Sequence, residues 1–533
     1  MNKYLLSLVT FLIPILNFAQ ETSEKGLDQQ IDEAFKPFSD LISSIVFFEI
    51  FEGAPFVIIL LVGSALFFSL YFGFPNFRYF LTSINIVRGK YDNIDHHESG
   101  SPELAIDGDI KGTIEDESKE GEVTHFQALA TAVSGTVGNG NIAGVALAIA
   151  LGGPGATFWM IVCGLLGMST KFVECTLGVQ YRDVDEEGTV YGGPMYYISK
   201  GLKERGFVML GKIAAILFAI FCIGGSFGGG NAAQSNQATI VIKDLLGIES
   251  TSAGAIIGIV LAILVGVIII GGIKRIASVT EKVVPFMAIL YLVACLYIIL
   301  SNFSLVDDAI GLIVSEAFNP KAIGVGGIIG VLLVGFKRAA FSNEAGAGSA
   351  SIAHSAVKTK YSASEGLVAL LEPFIDTVVI CTMTALVIII FNFDGAFMYG
   401  GDGLGSVMID GVSYEGAGIT SQAFAQYIPY SNVFLTIAVV LFAVSTMISW
   451  SYYGLQSWKF LFGRGKAADL TYKLLFLLFV VIGAAASMNS IWAFSDAMIF
   501  AMVFPNMIGL FFLFPVVKKQ LKRYLDAIKA SNA

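Results

Sequence analysis

The sequence predicts an all-α membrane protein of eleven transmembrane helices that follow a signal peptide. Of its 533 residues, 55% are hydrophobic and only 14% are charged, and the mean hydropathy is +0.74. A surface of this composition would not stay in solution. The apolar runs, such as 56–74 and 367–391, are continuous and long enough to cross a bilayer as helices. Strands of a membrane barrel would instead show short alternating segments.

The first twenty residues have the pattern of a signal peptide. Residues 1–20 carry Lys3, then a short apolar stretch, then Ala19 before polar sequence. An uncleaved extra helix is the alternative, because Ala19 matches a cleavage site only in part. Residues 21–123 then hold an external N-terminus, the first transmembrane helix and an acidic cytoplasmic insert over 92–122 with no assigned role.

The distribution of basic residues predicts the topology. Most of the 32 lysines and arginines fall in segments predicted to be cytoplasmic, whereas the external segments hold only Lys25, Lys36, Lys243 and Lys321. The positive-inside rule then predicts a bacterial inner-membrane protein with its N-terminus outside after cleavage and a cytoplasmic tail over 517–533. The eleven predicted spans are 54–74, 126–150, 154–181, 210–230, 254–273, 283–300, 322–341, 366–391, 431–455, 470–489 and 491–516.

The composition argues against several other classes of function. The five cysteines lie in apolar runs and the four histidines lie outside the centres of the spans, so neither suggests a metal or catalytic cluster. No cofactor is expected, and no nucleic-acid surface is visible. The loop 392–418 spaces Asp394, Asp402 and Asp410 among glycines, which is compatible with calcium. A solvated loop is favoured, because the EF-hand pattern is absent.

Two helices are interrupted at corresponding places. Ten helices remain after the first span, and the first helix of each half contains small and polar residues: SGTVGNGN at 134–141, and GFKR at 335–338 followed by FSNEAGAGSAS from Phe341. This pattern predicts inverted repeats over 124–300 and 301–516 with a binding site between them. Unwound turns free N–H groups for a carboxylate and carbonyls for a cation. Close packing of helices at glycine is the alternative.

The chain resembles the alanine or glycine:cation symporters, also called amino acid carrier proteins. The resemblance rests on FQALATAVSGTVGNGNIAGVALAIALGGPGATFWM (126–160), KFVECTLGVQYR (171–182), GGPMYY (192–197), FSNEAGAGSASIAH (341–354), FIDTVVICTMTALV (374–387) and SWSYYG (449–454). It implies a LeuT-type fold, in which spans two to eleven form a five-plus-five inverted repeat with two broken helices.

The resemblance also implies the site residues. The substrate pocket is expected at Gly138, Asn139, Gly140, Gln234, Phe336, Ala340 and Trp450. The first interruption is also similar to the AVGLGN turn of neurotransmitter:sodium symporters. That similarity implies sodium ligands at Ser134, Val137, Ser445 and Thr446, with Asn141 at a second site. Neutral oxygens of this kind suit a monovalent cation that must also leave.

Two pocket positions depart from the family pattern. Asn139 stands where members commonly have threonine, and Ala340 where a bulkier aliphatic residue often precedes FSNEAG. The amide adds polar groups and the alanine leaves space, so alanine itself becomes a less certain substrate and glutamine a serious candidate.

Charged residues inside the spans form a further group. Lys171 and Glu174, at i and i+3, are expected to pair with each other. Asp376, close to Glu372, is a candidate for a proton or cation path, with a gate or a packing role as alternatives. Asp496 completes this group.

These observations together predict a sodium-coupled symporter that imports alanine, glycine, serine or glutamine, and not an enzyme. Proton coupling is the nearest alternative, and a channel or membrane enzyme is a more distant one. The expected partners are the amino acid, sodium and the lipid bilayer, without nucleic acid, and the expected assembly state is a monomer.

Overall fold

The structure is a helical bundle built around two interrupted helices. The computed structural model describes residues 27–51, 54–95, 121–186, 188–248, 253–319, 327–401 and 403–531. Within these ranges, seven helices are long and apolar enough to cross a membrane. A bent pair, His125–Thr136 with Gly140–Gly152 at 51°, would make eight. Phe56–Tyr71 and Ala253–Ile269 are shorter apolar helices.

The described residues of the first half of the chain contain eleven α-helices. They are α1 (Leu27–Val46), α2 (Phe56–Tyr71), α3 (Pro75–Arg78), α4 (Phe80–Val87), α5 (Asp92–Asp95), α6 (His125–Thr136), α7 (Val145–Gly152), α8 (Gly155–Gln180), α9 (Pro194–Glu204), α10 (Val208–Phe227) and α11 (Ala233–Leu246). Two π-helical turns, Gly140–Gly144 and Gly228–Ala232, lie between α6 and α7 and between α10 and α11. The short strands β1 (Glu49–Phe51) and β2 (Ala54–Pro55) pair antiparallel, as do β3 (Asp183–Val184) and β4 (Val190–Tyr191).

Twelve more α-helices follow in the described part of the second half. They are α12 (Ala253–Ile269), α13 (Gly272–Ser301), α14 (Val306–Phe318), α15 (Gly327–Asn343), α16 (Ala350–His354), α17 (Ser362–Ala369), α18 (Leu371–Pro373), α19 (Thr382–Phe391), α20 (Ala417–Ala425), α21 (Ser431–Phe462), α22 (Lys466–Ala485) and α23 (Met488–Ser531). A π-helical segment, Phe374–Cys381, joins α18 to α19, and 3-10 turns cover Phe303–Leu305 and Asn392–Asp394. Strands β5 (Ser406–Ile409) and β6 (Val412–Glu415) form an antiparallel hairpin.

Each of the eleven predicted spans overlaps a helix of the structure, although several bounds differ. The prediction placed the last span at 491–516 and a separate tail after it, but α23 is helical from Met488 to Ser531. The loop 392–418 contains the β5–β6 hairpin. The signal peptide at 1–20, most of the acidic insert (96–120) and Asp402 lie outside the described residues.

The two interrupted helices lie side by side at the centre. Broken helix 1 comprises α6, the turn that follows it and α7, whereas broken helix 2 comprises α15, residues 344–349 and α16. Both broken helices pack against α8 and against the continuous helix α17–α19. Helix α21 runs beside α6. Buried small residues such as Gly155 and Gly335 allow close approach, since a Cβ at either would meet backbone atoms of a neighbouring helix at 2.4 and 2.6 Å.

The bundle has two distinguishable ends. At the hairpin end, the Gly400 amide donates to the Ala150 carbonyl at 2.7 Å, so the segment before the hairpin lies on the end of α7. At the tail end, the Tyr524 hydroxyl of α23 donates to Asp95 at 3.1 Å. Broken helix 1 runs from the tail end at His125 to the hairpin end at Gly152.

Candidate functional site

The interruption of broken helix 1 is closed by side-chain amides. Helix α6 starts with a capping box between Thr124 and Gln127 and ends at Thr136. Beyond it, the Gly138 amide donates to Asn141 Oδ1 at 2.9 Å and the Asn139 amide donates to Gln234 Oε1 at 3.0 Å. In this structure, two N–H groups that are predicted to face a substrate carboxylate therefore donate to side-chain amide oxygens.

Gln234 reaches the interruption from a second irregular helix. It follows the π-helical turn Gly228–Ala232, and its amide nitrogen donates to the Gly229 carbonyl at 2.9 Å. Asn139 donates to the Gln234 carbonyl at 3.2 Å, so the two residues are joined twice. Asn139 Oδ1, in contrast, is buried and has no hydrogen-bond partner among the described residues. A buried acceptor without a donor is costly, so this atom is suited to a ligand donor.

The interruption of broken helix 2 begins later than predicted. The prediction included Gly335 to Arg338, and this part is wrong, because α15 is helical through Asn343. The chain unwinds from Glu344, which has a φ of 55°. Gly346 and Gly348 follow at 97° and 87°, a backbone conformation that favours glycine. The positive φ angles at Glu344 and at these two glycines therefore keep this segment out of a helix.

A small cavity lies between the two interruptions. It has room for only about 10 Å³, close to that of one water molecule, and is lined by Gly135, Thr136, Gly140, Gly229, Gln234, Phe341, Glu344, Thr446, Trp450 and Ile499. An amino acid needs more space than this, so the cavity is nearly closed in this structure and its walls must move apart for a solute to bind. Four of the ten lining residues have polar side chains, namely Thr136, Gln234, Glu344 and Thr446, and the others are glycine, aromatic or aliphatic. Such a surface orients one small polar molecule.

The predicted substrate residues distribute unevenly around this cavity. Gly140, Gln234 and Trp450 line it. Asn139 is fully buried next to Gln234, and a Cβ on Gly138 would lie 2.4 Å from Thr446 Oγ1. Phe336 packs on Trp159, with ring centroids 5.8 Å apart, and Ala340 is buried but not among the lining residues.

Several lining residues were missed by the sequence interpretation. Glu344 accepts hydrogen bonds from the Trp450 indole at 3.0 Å and from the Ser349 hydroxyl. Its position inside an interrupted span was the signal that could have identified it. Phe341 and Ile499 gave no such signal, because apolar residues in apolar spans are ordinary packing residues.

Trp450 fits the site because its neighbour is glycine. A Cβ on Gly230 would lie 2.2 Å from Trp450 Cγ and 2.4 Å from its Cβ. Real Cβ atoms do not approach other carbons this closely, so only glycine leaves room for the indole. The π-helical turn at Gly228–Ala232 and the tryptophan thus determine each other's position.

Three predicted sodium ligands meet where α6 contacts α21. The Thr446 hydroxyl donates to the Ser134 carbonyl at 3.1 Å, and the Ser134 hydroxyl donates to the Ser445 carbonyl at 2.7 Å. The Ser445 hydroxyl donates within its own helix to the Phe442 carbonyl at 3.0 Å. Val137 is buried at the end of α6.

Asn141 belongs to a separate polar cluster. Its amide donates to Asp376 Oδ1 at 2.6 Å, and the hydroxyls of Ser342 and Thr377 donate to Asp376 Oδ2 at 2.9 and 2.7 Å. The cluster joins both broken helices to the π-helical segment Phe374–Cys381. Among the described residues, the hydrogen-bond donors to Asp376 are all neutral, and its side chain is fully buried.

The site is closed toward the hairpin end by an ion pair and an aromatic stack. Arg338 and Lys337 both form salt bridges with Asp496 of α23, and Lys337 Nζ lies 3.0 Å from Asp496 Oδ2. Next to them, the rings of Phe341 and Trp492 stack with centroids 5.0 Å apart. Phe341 also lines the cavity, so this contact separates the cavity from the hairpin end.

The expected pairing of Lys171 with Glu174 is wrong. The Lys171 ammonium forms its salt bridge with Glu372, 2.9 Å away, whereas Glu174 accepts from the Asn506 amide at 2.7 Å. Spacing along one helix suggested the first pair. The packing of α17–α19 on α8 brings the preferred carboxylate closer.

Comparison with known proteins identifies the family. The model of the sodium:alanine symporter family matches residues 39–533. The sodium/alanine symporter AgcS of Methanococcus maripaludis is 38% identical over 497 residues, which is 93% of this chain and 100% of that protein. This chain belongs to the sodium:alanine symporter family. It is thus a multi-pass membrane transporter of the sodium-coupled amino acid symport class and not an enzyme.

Other similar proteins are named for different amino acids. A protein of Bacillus subtilis named as the probable sodium/glutamine symporter GlnT is 34% identical over 411 residues, covering 77% of this chain and 80% of that one. Among solved structures, MhsT in complex with L-phenylalanine covers 75% of this chain and 99% of its own, with 13% identity and a TM-score of 0.49.

Proposed function

We propose that this symporter imports a small neutral amino acid, with alanine, glycine, serine and glutamine as candidates, into a bacterial cell across its inner membrane. The supporting observation is that two helix interruptions flank a nearly closed cavity, beside which Asn139 Oδ1 is a buried acceptor without a partner among the described residues. An α-amino acid brings both an ammonium donor and a carboxylate acceptor. Relatives named for alanine and for glutamine support this substrate range.

The amides around the first interruption suggest how the substrate binds. Gln234 Oε1 accepts from the Asn139 amide, as a substrate carboxylate would. We infer that the carboxylate takes this place and Gln234 turns toward the polar end of the side chain. The substrate ammonium then donates to Asn139 Oδ1, and Trp450 and Phe341 cover the apolar part. Phe336 and Ala340 remain proposed as outer parts of this pocket.

The cation is proposed to bind beside the substrate. The Ser134 carbonyl and the Thr446 hydroxyl, 3.1 Å apart, supply neutral oxygens at one site, together with Val137 and Ser445. Asp376 with Asn141 supplies a second site, because a fully buried carboxylate with neutral partners favours a cation nearby. A proton on Asp376 instead of sodium is the second candidate, supported by the same lack of a cationic partner.

The five-plus-five inverted repeat is proposed to extend over 124–300 and 301–516, with broken helix 1 at the start of the first half and broken helix 2 near the start of the second. In this topology the hairpin end is external and the tail end cytoplasmic, in agreement with the basic residues of α23. The substrate then enters past Arg338 and Asp496. An electrical driving force of about 2.3 kcal/mol per charge and 100 mV would favour inward movement.

Replacing Thr446 by alanine is expected to raise the sodium concentration for half-maximal uptake several-fold. The change removes one of few oxygen ligands and leaves the helix intact. The measurement is sodium-dependent uptake of labelled alanine and glutamine into proteoliposomes. Ser451→Ala is the matched control, since its hydroxyl donates to the Ile448 carbonyl of its own helix at 2.7 Å. An unchanged sodium dependence in Thr446→Ala would remove this residue from the cation site.

Replacing Ala340 by isoleucine is expected to weaken competition by glutamine far more than competition by alanine. The added carbons would fill space that a long side chain needs, at about 0.8 kcal/mol per methylene. Competition against one labelled substrate gives the ratio of the two affinities within a single variant, so loss of folded protein does not alter it. If the ratio stays at the wild-type value, Ala340 does not bound the substrate.

A further inference from the structure

A chain of buried ionisable side chains occupies the tail end of the bundle, apart from the cavity. In spatial order it contains Asp95, His125, Glu365, His354, Glu372 and Lys171, and we call it the histidine–carboxylate chain. His125 is 5% exposed and the other five residues are fully buried. They come from α5, α6, α8, α16, α17 and α18, and because α17 and α18 belong to one continuous helix, the histidine–carboxylate chain joins five helices.

Glu365 is at the centre of this chain. One of its oxygens lies 2.5 Å from His354 Nδ1, and the other contacts His125 Nδ1. Because a carboxylate accepts hydrogen bonds, both rings carry a proton on Nδ1 in this arrangement.

The second nitrogen of each ring faces another carboxylate. His125 Nε2 lies 3.6 Å from Asp95 Oδ2. His354 Nε2 lies 3.6 Å from Glu372 Oε2, while the other oxygen of Glu372 binds Lys171. Neither Nε2 atom has a hydrogen-bond partner among the described residues, and the same holds for Glu372 Oε2. In a neutral ring, the Nε2 lone pair would point at the lone pairs of an oxygen.

The charges of this chain do not balance with neutral histidines. Asp95, Glu365 and Glu372 carry three negative charges, and Lys171 carries one positive charge. Two negative charges therefore remain uncompensated in a fully buried region. Uncompensated buried charge is strongly unfavourable. Two protons would remove the imbalance and give each unpaired Nε2 a hydrogen to donate.

We propose that the histidine–carboxylate chain is a binding site for two protons, one on His125 and one on His354. Each imidazolium then bridges two carboxylates: His125 joins Glu365 to Asp95, and His354 joins Glu365 to Glu372. The ligand is the proton and not a metal ion, since within the described ranges no three His, Cys, Asp or Glu side chains converge in a metal-binding arrangement.

Other ionisable groups surround the chain without completing it. Glu174 binds the Asn506 amide, Glu344 binds Trp450 and Ser349, and Arg182 donates to the carbonyls of Ser355 and Val357. Cys175 is buried on α8, and Tyr524 donates to Asp95. Ionised carboxyls at Glu174 and Glu344 would increase the negative charge and so favour proton binding.

The site connects protonation to the position of both broken helices. His125 is the first residue of α6 and His354 is the last residue of α16, so each belongs to the tail half of one broken helix. Both halves are held on Glu365 of α17. Loss of the two protons would leave the carboxylates of Asp95 and Glu372 facing the lone pairs of neutral Nε2 atoms. This repulsion would weaken the attachment of both halves to Glu365, so the tail end of the bundle would open more easily. The argument depends on these contacts and not on the identity of the transported solute.

Nitrogen-15 NMR of histidine-labelled protein tests the site directly. The whole protein has only four histidines, so the NMR signals of individual rings can be resolved. We expect two rings to keep protons on both nitrogens well above pH 6.5, approximately where an isolated histidine loses one. His125→Gln should remove one of these signals and His354→Gln the other. The experiment requires no transport, so its failure is independent of a failure of the proposed substrate or cation.

Thermal unfolding in detergent across pH provides the second measurement. We expect the wild-type midpoint to fall as rising pH removes the two protons, because these protons bridge helices only in the folded state. The double variant His125→Gln/His354→Gln should lose this dependence, and His96→Gln/His97→Gln should retain it. Fewer than two doubly protonated rings at neutral pH in the wild type would overturn the proposal, even if the variants did not fold.

Discussion

Lys171→Met is expected to lower the free energy of unfolding by about 3–5 kcal/mol, the effect typical of breaking a buried ion pair. Lys171 and Glu372 are both fully buried, with the ammonium nitrogen 2.9 Å from the carboxylate. Methionine fills much of the same volume but leaves Glu372 without the ammonium, and the nearest other basic nitrogen, His354 Nε2, is 3.6 Å away. Most of the cost thus arises from the unpaired carboxylate and not from lost packing.

Two further variants separate these contributions. Lys171→Met/Glu372→Leu removes both charges, and we expect it to recover a large part of the lost stability. Lys529→Met breaks an exposed pair with Asp526, in which the two side chains are 79% and 56% exposed, and should change stability very little. The measurement is the unfolding midpoint in detergent. Equal stability of the wild type and Lys171→Met would mean that the pair does not hold α8 to α18.

Gly230→Ala is expected to reduce substrate-dependent uptake by about 10²-fold, the scale of loss for a misplacement of about 1 Å at a site. The new methyl carbon would lie 2.2 Å from Trp450 Cγ, a distance at which one of the two groups must move. Trp450 lines the cavity and donates to Glu344, so its displacement would change both the cavity and the second interruption.

Gly311→Ala is the matched control for this prediction. Gly311 lies in α14, and a Cβ there would meet nothing within 4 Å. The same substitution should therefore leave uptake near the wild-type rate, while both variants should reach the membrane in similar amounts. Wild-type uptake by Gly230→Ala would show that the indole does not need its present position.

The sequence predicted the first interruption well because its signal is local. SGTVGNGN places several helix-weakening residues together within an apolar run, and the structure ends α6 at Thr136. The second interruption was misplaced toward Gly335 for a related reason. Gly335, Lys337 and Arg338 are also unfavourable residues inside a membrane-spanning helix, so the sequence indicated a break there. Close packing on α8 and the pairing of Arg338 with Asp496 nevertheless keep this part helical.

Partners distant in the chain could not be predicted in the same way. Lys171 has Glu174 one turn away, yet it pairs with Glu372, 201 residues further along. Likewise, nothing local in His125 or His354 indicates that they share Glu365. Side-chain spacing reports neighbours on one helix, whereas the choice among buried carboxylates depends on which helices pack together.

The sequence by itself determined that this chain crosses a membrane, has two interrupted helices and belongs with amino acid symporters, because hydropathy and short glycine-rich segments act locally. Only the tertiary structure decided which oxygens occupy the free N–H groups, that Glu344 faces the cavity, and that six buried ionisable groups form one chain. The physical reason is that burial makes each polar atom find its partner in space, and partners on different helices are not encoded by sequence separation.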